Sequence, residues 1–333
     1  MPHTSVFTGK IKRVLSALCA LTALFGLSAC APEARPSGTA SAVSTQSASA
    51  RVTPRRGGEL VIPMSASPKS AHPLYLQETA MVNLYWLIFE PLIALDENNL
   101  PESCLADSWE YDGEQGIFII KIRSGVQWHG ERGEVTAGDV VFTLNQILSD
   151  QESIYNKQVS QYIEEVSMGD LYTVLITPRT ASYALLYSLN VPIIPQSYYQ
   201  NLAADTSASP IGSGPYAVLE ADMGQASGMT LGINEKWWKK QPYIEIIRAR
   251  GYADNDSALA AFERGELDCV YTDRLTADMY AMKEDVQAMS YPSYYYDFLS
   301  VNLEREPLGE RAVRQAISYA IDRKSIVSNI YLD

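Results

Sequence analysis

Three regimes of apolar and polar positions follow one another along the chain. Residues 14–27 are nearly all apolar, residues 31–56 hold almost no large apolar side chain, and short periodic stretches begin at Gly57-Gly58. The periodic part alternates between strand and helix signals, which predicts a mixed α/β fold. Glu59-Leu60-Val61-Ile62 reads as a strand, and Pro68 and Pro73 mark a loop after it. Val82, Tyr85, Trp86 and Phe89 recur at helical spacing, predicting a helix over 79–89 with one face inward. Residues 117–123 alternate as a half-buried strand entered through Asp112-Gly113. Thr136 and Asp139 form a T-x-x-D helix start, and Val140, Val141, Leu144, Ile147 and Leu148 supply its buried stripe. Further strands are predicted at 173–177, 216–220 and 244–250. Gly212 and Gly214 permit positive φ where a loop swings into a strand, and Pro215 fixes the entry. Asp256 precedes the helical run 257–262, with Gly265 at its C-cap. Val313, Ala316, Ile317, Ala320 and Ile321 lie on one helical face predicted to be buried, after which Asp322 can cap a second helix.

The first regime is a leader. Lys10, Lys12 and Arg13 precede the apolar run, which suits a signal h-region but falls short of the roughly 20 residues a spanning helix needs. The small pair Ser28-Ala29 follows Leu27 and leads to Cys30. This pattern resembles the bacterial lipoprotein box, which implies that residues 1–29 are removed and contribute nothing to the fold. It also implies that Cys30 takes a thioether-linked diacylglycerol; the other reading is a plain secretory peptide in which Cys30 is incidental. Residues 30–56, rich in Ala, Ser, Thr and Pro, cannot bury enough surface to offset their ordering entropy and read as a tether. The whole chain has a formal charge of −13, and loss of the leader removes three positive charges and no negative ones. Such a surface repels nucleic acid and anionic lipid.

Cysteine and histidine usage removes much enzyme chemistry. After Cys19 and Cys30 only Cys104 and Cys269 remain, able to pair outside the cytoplasm or to sit as small buried hydrophobes; the later histidines are His72 and His129. No CxxC pair, HExxH helix, GxxxxGK[ST] loop or G-x-S-x-G elbow occurs.

Several segments then match one family in order. Gly57-Gly58-Glu59-Leu60-Val61 resembles its opening strand, and Asn83-Leu84-Tyr85 through Phe89-Glu90-Pro91-Leu92 its first helix. Leu105-Ala106-Asp107-Ser108-Trp109-Glu110 is similar to L-A-E-S-W-E, and Thr136-Ala137-Gly138-Asp139-Val140-Val141-Phe142 to T-A-E-D-V-V-F. Gly212-Ser213-Gly214-Pro215-Tyr216 resembles G-T-G-P-Y, residues 234–242 N-P-x-Y-W-x-x-x-P, and Gly265-Glu266-Leu267-Asp268 the end of A-G-E-L-D. Val313-Arg314-Gln315-Ala316 to Ala320-Ile321-Asp322-Arg323 is similar to V-R-Q-A-L-x-Y-A-I-D-R. The hairpin ending Trp128-His129-Gly130-Glu131 departs from the usual W-x-D-G, so its tip is expected to be rebuilt. The family is the family 5 extracellular solute-binding proteins, receptor lipoproteins of peptide and nickel ABC transporters.

The resemblance implies an α/β, periplasmic-binding-protein-like class II fold of two lobes closing like a Venus flytrap. It places a lobe I core at 57–92 plus 206–292, an inserted subdomain at 93–205, and a hinge strand with the start of lobe II at 293–333. Most of the second lobe, and the return of the chain that completes the first, are then expected to be absent. The hinge crossing is the run Tyr294-Tyr295-Tyr296-Asp297-Phe298-Leu299-Ser300-Val301-Asn302. The chain carries 21 Tyr against 7 Phe, and amphipathic rings suit a surface that packs apolar groups and hydrogen-bonds a wet ligand. Gln77, Asn83, Tyr295, Tyr296 and Phe298 are the candidate ligand contacts; tyrosines alternating on a strand also fit plain sheet surface. Trp237-Trp238 reads as scaffold.

The function implied is that of a monomeric receptor, lipid-anchored on the extracytoplasmic face of the cell membrane, presenting oligopeptides or dipeptides to ABC permease subunits. It would have no enzyme activity, cofactor or metal. A remnant that binds nothing is the second reading. An anchored hydrolase using Glu263 with Glu266, or Asp254 with Asp256, is the third, and both pairs fit solvated helix ends better.

Overall fold

The computed structural model describes residues 6–10, 54–66, 68–224, 228–272, 274–290 and 297–331. In chain order its elements are β1 (Val6–Lys10), β2 (Glu59–Ser65), α1 (Thr79–Tyr85), β3 (Ile93–Leu95), β4 (Pro101–Ser103), β5 (Ala106–Asp112), β6 (Ile117–Ile122) and α2 (Ala137–Ser149). Then come α3 (Asn156–Ser160), β7 (Ile163–Asp170), β8 (Thr173–Pro178), α4 (Leu185–Ser188), α5 (Gln196–Tyr199), β9 (Tyr216–Asp222), β10 (Gly228–Ile233) and β11 (Ile246–Tyr252). The remainder is α6 (Asn255–Glu263), β12 (Cys269–Thr272), α7 (Arg274–Ala281), β13 (Val286–Ser290), α8 (Arg311–Ala320) and α9 (Arg323–Ile326), which runs into a π turn over Val327–Tyr331.

Two four-stranded sheets organise the molecule. The first has the order β2-β11-β10-β9. β2 and β11 run parallel, from Glu59 beside Ile246 to Ser65 beside Tyr252. β10 is antiparallel to both β11 and β9. A parallel pair needs a long crossover, and here it is the whole stretch from the end of β2 to the start of β11. That crossover contains the second sheet, the antiparallel β5-β6-β8-β7. Its helix α2 starts where the T-x-x-D signal predicts, with the Thr136 and Asp139 side chains each bonded to the other's backbone N–H. Val140, Leu144 and Ile147 on its inner face are fully buried. One apolar cluster runs without a break from Met64 through both sheets to Ala249. A smaller one, with Phe262, Leu267 and Tyr280, lies under α6.

Several expectations are corrected. Gly212 and Gly214 are not at positive φ. They are needed because the chain passes against the end of the first helical segment: a Cβ on Gly212 would stand 2.1 Å from the Ile88 carbonyl oxygen, and one on Gly214 2.7 Å from its carbonyl carbon. The His129 side chain at the hairpin tip secures that approach. Gly212 N–H donates to His129 Nδ1 at 3.3 Å, which leaves Nε2–H to donate to the Gly214 carbonyl at 3.0 Å. The cap of α6 is Asp254 rather than Asp256; its carboxylate accepts from Ser257 N–H at 2.8 Å. Helix α1 stops at Tyr85, short of residue 89, and the Leu87, Ile88 and Phe89 N–H groups donate in tight turns to Leu84 and Tyr85. Helix α8 forms, yet none of its residues is buried. Residues 297–302, expected in the hinge strand, have no strand pairing.

Residues 6–10, read as leader with no place in the fold, are paired here as β1. They run antiparallel to both β12 and β13. Those two strands are joined through α7 and lie one strand apart. Cys104 and Cys269, left open as a possible pair, are both buried free thiols.

Candidate functional site

The parallel pair sets the place of the site. At the C-terminal ends of parallel strands the chain must leave the sheet toward helices, and the space between the departing segments is where α/β folds bind ligands. Here Pro63, Met64 and Ser65 end β2, while β11 ends at Tyr252 and leads through Ala253 and Asp254 into α6. With Thr79, Ala80 and Asn83 of α1, Asn255 and Ala258 of α6 and Tyr271 of β12, they line an open concavity of about 260 Å³. Polar and apolar side chains both line it, as on a surface that grips a partly solvated ligand.

Its one carboxylate among these residues is Asp254. The Ser257 backbone and side chain hydrogen-bond to it and hold its pKa below the ordinary aspartate value, so it is anionic at neutral pH. Helix α1 starts at Glu78, whose side chain makes no capping bond and whose Oε2 is buried with no partner among the described residues.

The residues singled out from sequence separate. Asn83 is exposed on α1 and lines the concavity. Gln77 is exposed, outside the lining, and its Oε1 accepts from Lys69 Nζ at 3.1 Å. Phe298 is 72% exposed and outside the lining. Cys30, Tyr295 and Tyr296 lie outside the described residues. Thr79, Tyr252, Asp254 and Tyr271 were not foreseen as cleft residues; the one signal available was a strand ending directly before a capping aspartate.

A second polar cluster lies elsewhere, around a buried carboxylate. Glu90, 4% exposed, accepts from Trp237 Nε1 at 3.1 Å, from Trp238 Nε1 at 3.1 and 3.0 Å and from Ser213 Oγ at 3.2 Å. Lys239 Nζ stands 3.6 Å from it, and the Arg123 guanidinium lies 4.3 Å from the Trp238 ring centre. This bears out Trp237-Trp238 as scaffold: the indoles tie residues 237–239 to the segment leaving α1. Burial, with Glu90 alongside, pushes the Cys104 thiol up to about 11, and burial pushes Cys269 up to about 12, so neither is a thiolate nucleophile at neutral pH. No group of three His, Cys, Asp or Glu among the described residues could hold a metal ion. No helix among them is long and apolar enough to cross a membrane.

Comparison with known proteins agrees with this architecture. The family model for bacterial extracellular solute-binding proteins, family 5 Middle, matches residues 101–333. Among curated relatives, the oligopeptide-binding protein AppA of Bacillus subtilis is 28% identical over 83% of this chain and 52% of its own length. The nickel-binding periplasmic protein of Escherichia coli is 24% identical over 80% and 52%, and heme-binding protein A of Haemophilus influenzae 25% over 69% and 46%. The chain thus spans about half the length of the curated relatives it matches. The structure of AppA with a nonapeptide superposes with a TM-score of 0.64 at 23% identity, covering 84% of this chain and 56% of that one. NikZ of Campylobacter jejuni, solved with Ni(L-His), gives 0.62 at 22%, with the same coverage. These likenesses bear out the expected α/β binding-protein fold, and with a family match over more than half its length the chain belongs to the bacterial extracellular solute-binding proteins, family 5.

Proposed function

We propose that this chain forms one wall of the cleft of a peptide receptor that serves an ABC importer outside the cytoplasm. Family 5 proteins are binding components of transport and catalyse no reaction. Their named ligands nevertheless range over oligopeptide, nickel and heme, so the ligand class of this chain rests on its own site. The observation that carries the reading is the concavity at the ends of β2 and β11, with Asn83 facing it and a polar, mostly uncharged rim. Peptides bring backbone N–H and C=O groups that such side chains can pair, and Tyr252 and Tyr271 supply apolar faces for their side chains. The two buried histidines do not offer a nickel site: His72 is fully enclosed, and both His129 ring nitrogens are engaged with the Gly212–Gly214 turn.

The proposal extends to Cys30 as a lipid anchor, with residues 30–56 as tether and the receptor acting as a monomer. Tyr295, Tyr296 and Phe298 would approach the ligand from the hinge. A ligand that binds only the folded state stabilises it by RT ln(1 + [L]/Kd), about 2.7 kcal/mol at 100 times Kd. Mixed di- to pentapeptides should therefore raise the melting temperature and be recovered intact by mass spectrometry. No shift with any peptide, or cleaved products, would overturn the reading. Cys30→Ser should move the protein from the membrane to the soluble fraction.

A further inference from the structure

The sheet β12-β1-β13 is assembled from two distant parts of the chain. Because β12 and β13 each run antiparallel to β1, they are parallel to one another. Helix α7 joins them across the width of one strand, about 9.5 Å at twice the usual strand spacing. Residues 6–10 fill that space, with Thr8 opposite both Val270 and Ala288, and Gly9 opposite both Cys269 and Gln287. On the leader reading this filler has another fate. Lys10, Lys12 and Arg13 hold the start of a leader at the inner membrane face, and cleavage before Cys30 removes it. The exported form would keep β12 and β13, and each would lose the ladder it makes with β1. Backbone groups inside a sheet need replacement partners.

Three features describe what fits in place of β1. The floor is apolar, since Val270 is fully buried in the cluster under α6 and Val286 packs against that cluster. Cys269, 1% exposed, lies opposite Gly9, a position that suits a small residue. Thr272, 7% exposed, lies opposite Val6, and its Oγ1 is buried with no partner among the described residues. A hydroxyl or amide side chain across from it would satisfy that oxygen. Tyr271 of the same strand lines the concavity, so slot and concavity share β12.

We propose that the space between β12 and β13 is a strand-accepting site. In the processed protein an extended peptide adds there, antiparallel to both strands, with a small residue opposite Cys269 and a hydroxyl or amide side chain opposite Thr272. In the unprocessed chain β1 is the occupant. The inference rests on the leader and peptide-receptor readings above and adds a second mode of peptide capture, through main-chain hydrogen bonds.

The test uses the full chain with Thr8→Pro, which cannot donate in the ladder and so empties the slot without cleavage. Thr8→Gly weakens the same strand more mildly. Alkylation by iodoacetamide with peptide mapping reads occupancy at Cys269, while Cys104, buried beside Glu90, reports that the fold is intact. Thr8→Pro should raise the Cys269 rate at least about 10-fold with Cys104 unchanged, and Thr8→Gly should give a smaller rise. The probe, N-acetyl-Val-Phe-Thr-Gly-Lys amide, should return Cys269 of the Thr8→Pro chain to the parent rate and slow hydrogen exchange in both 269–272 and 286–290. The same peptide with proline at its third position should do neither. Threonine at the first position, opposite Thr272, should tighten binding about 5-fold, the gain expected of one added hydrogen bond. An unchanged Cys269 rate in Thr8→Pro, a raised rate that the probe does not lower, or protection that grows with protein concentration in the absence of probe overturns the proposal; the last result gives the slot to a second copy. Asn83→Trp, which fills the concavity, separates the two peptide readings. Probe protection that persists in it belongs to the slot, and protection lost with it belongs to the cleft and overturns the strand site alone.

Discussion

Helices α2 and α8 carry the same kind of apolar stripe and end in opposite surroundings. In α2 the stripe of Val140, Leu144 and Ile147 is fully buried, and Thr143 adds a hydroxyl that accepts from Ile194 N–H at 3.1 Å. In α8 the stripe of Val313, Ala316, Ile317 and Ala320 is no less regular, and no residue of the helix is buried. Periodicity states which face is apolar. It carries no information on what covers that face, and the cover decides the free energy.

The comparison is sharpest where several segments converge on the core, so the largest effect is expected at Glu90. Glu90→Ala removes the shared acceptor of two indole N–H groups and leaves Lys239 beside a void. Trp237, Trp238 and Ser213 all lose their acceptor, and at about 1–3 kcal/mol for each desolvated donor left unpaired the change should cost about 3–5 kcal/mol. The free energy of urea unfolding should fall by that much; a loss under about 1 kcal/mol would mean that the indoles find other acceptors. Next comes α2 itself. Leu144→Ala deletes a side chain with no exposed surface and should cost about 2–5 kcal/mol, read from the same titration.

A third effect tests the core through pH. His72 has no exposed surface, its Nδ1 accepts from Leu74 N–H at 3.3 Å, and Tyr75 and Tyr199 meet it edge-on. Burial lowers its pKa from 6.5 to about 4. Because the folded value lies below the unfolded one, the contribution is complete above about pH 6.5 and is lost as pH falls toward 4. At 1.36 kcal/mol per unit this amounts to about 3 kcal/mol. His129, also lowered by burial, acts with the same sign. His72→Phe should therefore lose about 2–3 kcal/mol less stability than the parent between pH 7 and pH 4.5, and parallel losses would overturn the assignment.

Local signals were legible in the sequence where the cause was local. The Thr136 and Asp139 capping box, the Asp112-Gly113 turn and the run of strands all depend on residues a few positions apart, and they stand where the pattern places them. What depends on distant neighbours was not legible. Gly212 and Gly214 were marked, but the reason is the Ile88 backbone pressed against them, far along the chain. Glu90 meets Trp238 across 148 positions, and no spacing rule reaches that far. At the concavity, Asn83 was singled out through its family segment. Asp254, Tyr252 and Tyr271 join it only because β2 and β11 pair in parallel, which brings residues about 170 positions apart to one sheet end. The α6 cap slipped by two residues for a smaller reason: Asp254 and Asp256 both precede the apolar run, and only the backbone at Asp254 is extended as a cap requires.

The smallest effect is the one that decides the comparison. Ile317→Ala in α8 removes an apolar side chain that is only half-buried, and Ala is the better helix former. The transfer loss and the propensity gain nearly cancel, so unfolding free energy should change by less than about 0.5 kcal/mol. The same substitution chemistry at Leu144 should cost several times more, although the two stripes look alike. Were Ile317→Ala to cost over about 1 kcal/mol, the α8 face would have to be covered in solution. Repeating the titration over a range of protein concentrations then separates a cover made by a second copy, whose effect grows with concentration, from one made within the chain, whose effect does not.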